Sequence, residues 1–419
     1  MKDLYLEILK EELVPALGCT DPIAVAYCSA KAREVLGDFP DSIEVACSSN
    51  IIKNVKGAIV PGTKNMKGIE TAAILGAIVG DASKKLEVLT LVQDKDIELL
   101  KELLSKNICS TYHEEEMGNL YIKVIAIKND SMAEVTIADG YTNIVSIKKD
   151  NRVIYKRDSQ NHDSNQQISR DFLTVQGIYD YITSVDTITL SNLLDGQIKM
   201  NSAIVDAGLD NDFGANVGKV LISNYGKGVE NLAKAYAAAG SDARMGGCSL
   251  PVVINSGSGN QGLTASIPVI TYAKHLKVSD EKLYRALALS NLIAIHIKAD
   301  IGKLSAFCGA VSAACGSGAA IAYLNGDSFE VIGMTITNVL ANTSGIVCDG
   351  AKASCAAKIA SSVDAAIMGY HMARGGQTFA AGDGLVKEDI EATIKSIGKM
   401  AKNGMVQTDK EILRIMLES

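Results

Sequence analysis

Ser305-Ala-Phe-Cys308-Gly-Ala310-Val-Ser-Ala-Ala-Cys315-Gly316-Ser-Gly318-Ala-Ala-Ile-Ala-Tyr-Leu324 is the stretch that decides the fold. It carries no charge, and small residues fill it. The apolar run 310–324 is shorter than the roughly 20 residues a membrane-spanning helix needs. It therefore reads as a helix buried inside protein. Glycine is also dense at 214–218, 246–262, 302–318 and 345–350. Such density marks backbone that takes positive φ or comes close to a ligand. From Asp171 onward the chain reads as mostly helical, broken at these glycines.

Toward the N-terminus the texture differs. Residues 2–14 form a helix with Leu4, Ile8 and Leu13 near one face. Asp21 then caps a second helix over 23–36, with Pro22 at its first position. A strand is expected at 42–48 and an Ala/Ile/Gly helix at 68–79. Near Lys85 comes a strand at 86–92, a helix at 94–105, and β-rich runs at 120–127, 133–137 and 142–147, with Asp139-Gly140 and Lys149-Asp150-Asn151 as turns. The expected class is α+β: a mostly helical, Gly/Ala-rich domain beside a smaller α/β unit of order β-α-β-β-β. The segments are 1–84, 85–157 and 171–419. The polar run 156–167 has linker composition.

Composition limits the function. At 419 residues the chain can bury a large core. A net charge of -7 argues against a nucleic-acid partner. The start, Met1-Lys-Asp-Leu-Tyr-Leu, lacks an apolar signal region, so a cytoplasmic location is expected and no membrane association. Trp is absent and Phe numbers six, so alanine and glycine fill the interior. Close-packed helices of that kind also suit a homodimer.

Nine cysteines without a secretory signal are the chemical clue. In a reduced compartment thiols more often bind metal or do chemistry than pair. Cys308, Cys348 and Cys355 sit among Gly, Ala and Ser, where backbone can approach a bulky inorganic group. Three thiolates rather than four suggest an iron–sulfur cluster with one iron left open. On a continuous helix Cys348 and Cys355 would stand about 10.5 Å apart along the axis, too far for one cluster. The segment must loop if both ligate the same cluster, and Gly350 can break the helix. Zinc accepts three thiolates with an open position, but the usual tight Cys pair is missing. Three buried free cysteines in Ala-rich helices would also account for the pattern.

Several motifs carry a family resemblance. Gly345-Ile-Val-Cys348-Asp-Gly … Cys355 and Cys308-Gly-Ala resemble the cluster segments of the iron–sulfur L-serine dehydratase α-chain family. Leu13-Val-Pro-Ala-Leu-Gly-Cys19-Thr-Asp-Pro is similar to a narrower group, the L-cysteine desulfidases. So are Cys47-Ser-Ser-Asn50-Ile-Ile-Lys-Asn54, the segment from Gly247-Cys248 through Asn255-Ser-Gly-Ser-Gly-Asn260-Gln-Gly, and Met405-Val-Gln-Thr-Asp409. The resemblance covers essentially the whole chain.

It implies a [4Fe–4S] cluster on Cys308, Cys348 and Cys355, with one open iron acting as Lewis acid on the substrate and no pyridoxal phosphate. The implied reaction is elimination from L-cysteine to sulfide, ammonia and pyruvate. An iron–sulfur L-serine dehydratase is the near alternative. A non-catalytic iron–sulfur redox sensor is the distant one, and it would need a fourth ligand such as Cys19 or Cys315. Serine dehydratases use Ser-Ser-His-Thr where this chain has Cys19-Thr-Asp, which favours the desulfidase.

The resemblance makes Cys19 the candidate base, and its place before a helix N-terminus would favour thiolate. Asn50, Asn54, Ser256, Ser258, Asn260 and Gln261 could bind the substrate carboxylate and amine. The run 255–262 is too glycine-rich for a regular element. It reads either as an anion-holding nest or as an ordinary tight turn. It lacks the Lys-Ser/Thr ending of a P-loop. His296, with Lys298 beside it, could orient substrate or supply a proton, and Lys303 and Arg374 are possible carboxylate partners. Cys28, Cys47, Cys109, Cys248 and Cys315 read as structural, with Cys315 a reserve ligand.

Overall fold

The computed structural model describes residues 2–157, 168–302 and 304–418. The chain opens with α1 (Lys2–Glu12), β1 (Pro15–Leu17), α2 (Thr20–Leu36), β2 (Ser42–Cys47), α3 (Ser49–Lys56) and α4 (Ile69–Val79). A 3-10 segment, Ala82–Glu87, and α5 (Asp94–Ser105) lead to β3 (Cys109–His113), β4 (Tyr121–Lys128), β5 (Ser131–Ala138), β6 (Ile144–Lys149) and β7 (Arg152–Lys156). Next come α6 (Val175–Ser184), α7 (Thr187–Asp210), α8 (Val217–Tyr225), α9 (Val229–Met245) and the short β8 (Pro251–Val253). The last part holds α10 (Gly259–Leu276), α11 (Asp280–Ile301), α12 (Gly309–Asn325), α13 (Phe329–Thr343), α14 (Cys355–Arg374), α15 (Ile390–Lys399) and α16 (Val406–Leu417). Helices dominate and the class is α+β.

The small-residue run becomes α12, buried at every position from Ala310 to Ala322. It packs against α10, α11, α13 and α14. Its sequence explains why. A Cβ on Gly316 would sit 2.2 Å from the Ser290 carbonyl oxygen of α11. The two helices therefore meet backbone to backbone, where only glycine fits. No helix among the described residues is long and apolar enough to cross a membrane.

The other layer is a six-stranded sheet of order β3-β2-β4-β5-β6-β7, parallel between β2 and β3 and antiparallel elsewhere. Val45, Val124 and Val135 lie in register across β2, β4 and β5 and are fully buried. α2 packs on β4 and β5, and the Cys28 thiol donates to the Val135 carbonyl at 3.3 Å. β2 comes from the first 84 residues yet sits second in the sheet, between β3 and β4.

The expected β-α-β-β-β order needs correction at its first strand. Residues 86–92 are not a strand: the 3-10 segment runs into turns, with Lys85 at φ 50°. Leu86, Val88 and Leu89 are buried, and this segment packs on α2 and β1. They fill a gap beside a helix, so their apolar character reflects packing and not a ladder. β3 and β7 supply strands that the sequence pattern did not single out. The expected linker, 156–167, lies outside the described residues from 158 onward.

Candidate active site

One short antiparallel bridge, Phe307 opposite Val347, sets Cys308 beside Cys348. The Cys308 N–H donates to Ile346 O at 2.9 Å and the Cys348 N–H to Ala306 O at 2.7 Å. Cys308 is also the N-cap of α12. Beyond Cys348 the chain loops through Gly350, at φ 91°, and re-enters helix at Cys355, the first residue of α14. That loop is pinned by Asp349, which pairs with Lys352 at 2.6 Å and with Lys358. All three thiols line one cavity of about 110 Å³. Burial pushes the Cys308 and Cys355 thiols up, and Cys348 beside each adds to the shift.

The opposite wall comes from the N-terminal segment. Cys19, not Asp21, is the N-cap of α2. Asp21 is drawn inward instead, because its carboxylate serves the cavity and not the helix end. It accepts from Asn54 Nδ2 at 3.1 Å, Tyr141 OH at 3.4 Å and Cys19 Sγ at 3.6 Å. The expectation that a helix N-terminus favours a Cys19 thiolate is corrected here. Burial pushes the Cys19 thiol well up and Asp21 adds to it. Burial likewise raises the Asp21 carboxyl, against hydrogen bonds from Asn54, Cys19 and Tyr141.

α3 contributes Asn50, Lys53 and Asn54 to the lining. Lys53 is buried and forms an ion pair with Asp409 of α16, so the last helix is fastened to the cavity wall. The glycine-rich run proves to be a tight turn that opens a helix, which corrects the view that it has no regular structure. Asn255 and Ser258 exchange backbone hydrogen bonds of 3.1 and 3.0 Å. Ser258 then caps α10, whose first turn holds Gly259, Asn260 and Gln261. Thr20 Oγ1 donates to Gly257 O at 2.9 Å, which ties this turn to α2.

The structure thus brings Cys19, Asn50, Asn54, Ser256, Ser258, Asn260, Gln261, Cys308, Cys348 and Cys355 around one cavity. It places two other candidates elsewhere. His296 Nε2 lies 2.8 Å from Glu391 Oε2, outside the cavity lining, and joins α11 to α15. Arg374 ends α14, with its side chain 57% exposed and Nε 4.0 Å from Asp327. Lys303 lies outside the described residues. Cys315 is buried within α12 and does not line the cavity.

Four ionisable lining residues had no assigned cavity role in the sequence pattern: Lys53, Tyr141, Arg244 and Asp21. Lys298, noted beside His296, also lines it. Asp21 and Lys53 lay inside quoted motifs without a cavity role, and nothing local marked Tyr141 or Arg244.

A helical core presenting three thiols to a small buried cavity defines the class, and the chain belongs to the serine dehydratase alpha chain family, which it matches over residues 83–414. Among its relatives is a UPF0597 protein of Lachnoclostridium phytofermentans, 53% identical over 98% of this chain and 99% of that one. A UPF0597 protein of Desulfitobacterium hafniense is 51% identical over 99% and 96%. One from Bacteroides thetaiotaomicron is 36% identical over 98% and 96%.

Proposed function

We propose that the chain is an iron–sulfur-dependent L-cysteine desulfidase, a carbon–sulfur lyase that uses no pyridoxal phosphate and works in the cytoplasm. The observation that carries this is the convergence of Cys308, Cys348 and Cys355 on the cavity that Cys19 lines from the other side. The donor set fits a [4Fe–4S] cluster, whose ligands are cysteine thiolates. Among the described residues no three His, Cys, Asp or Glu side chains converge as they would on a single metal ion. Gly309, Ala310, Gly350 and Ala351 line the same cavity as the thiols. When bound, such a cluster would supply a Lewis-acidic iron that eases departure of sulfide.

The chain's own residues do the rest. Cys19 stands as the base for the α-proton. Its Sγ contacts Asp21 Oδ2, so Asp21 is the carboxylate placed to take the thiol proton. Tyr141 and Asn54 hold Asp21 in position. Asn54 Oδ1 and Gln261 Oε1 are buried acceptors without partners, free to receive the substrate amine. Burial within the cavity keeps water from the reacting carbon.

The test is an anaerobic assay of iron-reconstituted protein with L-cysteine and with L-serine, following sulfide and pyruvate together. Equal sulfide and pyruvate from cysteine, with little pyruvate from serine, is expected. Pyruvate from serine alone moves the assignment to a dehydratase. Cys19 lines the cavity while Cys315 does not, so a sensor would need Cys19 as fourth ligand. Cys19→Ser is expected to keep its iron and lose turnover; loss of iron would favour the sensor. A homodimer is the expected assembly, read by light scattering.

A further inference from the structure

The proposed chemistry leaves one buried charge without an explanation. Arg244, near the end of α9, is 2% exposed. Its Nε has no hydrogen-bond partner, and it forms no ion pair among the described residues. An unpaired buried guanidinium costs several kcal/mol, and arginine does not escape by deprotonating. The groups that face it are the Cys19 and Cys355 thiols, Asp21 and Tyr141, and the neighbouring carboxylates are occupied. Asp21 is held by Asn54, Tyr141 and Cys19. Asp242 faces away and accepts from the Gly218 N–H of α8 at 3.0 Å.

The guanidinium lies against the first turn of α10. A Cβ on Gly259 would meet Arg244 Nε at 2.3 Å and Cζ at 2.8 Å. The N–H groups of Gly259 and Asn260 begin that helix and donate to no protein acceptor among the described residues. Free helix N–H groups and the helix dipole attract anions. A guanidinium adds a planar fork that matches a carboxylate. Arg244 and Asn260 line the thiol cavity. Among the described residues, Lys298 is the other buried cation there without an ion pair. Its neighbours are Cys348 and Cys308, whereas the Arg244 guanidinium lies against the α10 turn.

We infer that Arg244 and the first turn of α10 receive the α-carboxylate of the substrate, so the cavity selects small α-amino carboxylates by that group. Asn54 Oδ1 and Gln261 Oε1, the unpartnered acceptors of the same cavity, meet the α-ammonium, which orients the α-carbon toward Cys19. The identity of the substrate rests on the proposed desulfidase function; the anion site does not.

The experiment compares an acid with its uncharged twin. Iron-reconstituted protein is titrated anaerobically by calorimetry with L-cysteine, L-cysteinamide, L-serine and L-serinamide, and turnover is followed in parallel. The wild type is expected to favour at least one acid over its amide by roughly 100-fold. Arg244→Gln is expected to erase that preference while retaining its iron. Gly259→Ala is expected to weaken acid binding in the same direction, because its methyl displaces the guanidinium without changing any charge. Equal binding of acid and amide by the wild type overturns the inference. So does a preference that survives Arg244→Gln, or failure of both acids to bind. Loss of iron from Arg244→Gln also overturns it, and makes Arg244 a counter-charge to Cys355. Carboxylate-dependent binding without turnover of cysteine defeats the desulfidase assignment and leaves the anion site standing.

Discussion

The six-stranded sheet and the bundle around α12 solve the same packing problem with opposite materials. In the sheet, bulky side chains such as Val45, Val124, Val135 and Ile122 fill the space between β-strands and α2. In the bundle, backbone meets backbone. Ideal Cβ atoms on Gly316, Gly208 and Gly262 would lie 2.2, 2.1 and 2.1 Å from carbonyl oxygens of Ser290, Ala239 and Val253. Side chains have rotamers and can adjust by a fraction of an ångström; backbone in two rigid helices cannot. The thiols and the α10 turn are carried by the inflexible half. Asp21, Asn54 and Tyr141 are brought in beside the adaptable one.

One added carbon should break the bundle sooner than one removed carbon breaks the sheet. Gly316→Ala should destabilise by about 3 kcal/mol or more, at or beyond the upper end for overpacking, as read by denaturant unfolding. A loss below 1 kcal/mol would mean that α11 and α12 slide apart easily. Asp242 gives a pH-dependent contrast within the bundle. Burial pushes its carboxyl up to about 6, against hydrogen bonds from the Gly218, Val217 and Ala215 N–H groups. Its unfolded value is near 3.9, so the folded chain binds the proton more tightly. The stabilisation is complete below about pH 4 and is lost as pH rises through about 6. Asp242→Asn should therefore gain about 1.4 kcal/mol more over wild type at pH 8 than at pH 5, and a melting-point difference that ignores pH would contradict this.

In the sheet, Ile122→Val should lose only about 1 kcal/mol, a value that equilibrium unfolding can compare directly with Gly316→Ala. Smallest of all is the edge strand β7. Ile154 is 59% exposed there, and Ile154→Ser should change stability by less than about 0.5 kcal/mol. A larger loss would show that β7 is covered in solution.

The bundle was the more legible half. A run of Gly, Ala and Ser as long as 310–324 has few homes other than a buried helix. The separation of Cys348 and Cys355 demanded a loop, and the chain does loop at Gly350. The cysteine trio needed the family likeness, since three free thiols in Ala-rich helices look much the same. Residues 86–92 misled because apolar residues under a helix resemble a strand until Lys85 turns the backbone. Arg244 was illegible for a different reason. Arginine near a helix C-terminus ordinarily faces solvent and complements the dipole, and only the tertiary packing of α9 against α10 reveals it as buried. The position of β2 inside the sheet is likewise a long-range fact with no local signature.

The contact between Lys53 and Asp409 has a consequence for biosynthesis. The cavity wall draws on residues from Cys19 to Cys355, and α3 is fastened by a residue of α16. A ribosome delivers these pieces in order, and the thiols emerge long after Cys19 does. A nascent chain that has reached residue 300 holds half a cavity and none of the three thiols opposite Cys19. Metal delivered at that stage would find only stray cysteines. The proposed cluster would therefore have to be loaded after Cys355 has been made, and the closing helix is the last part in place before the cavity wall is complete.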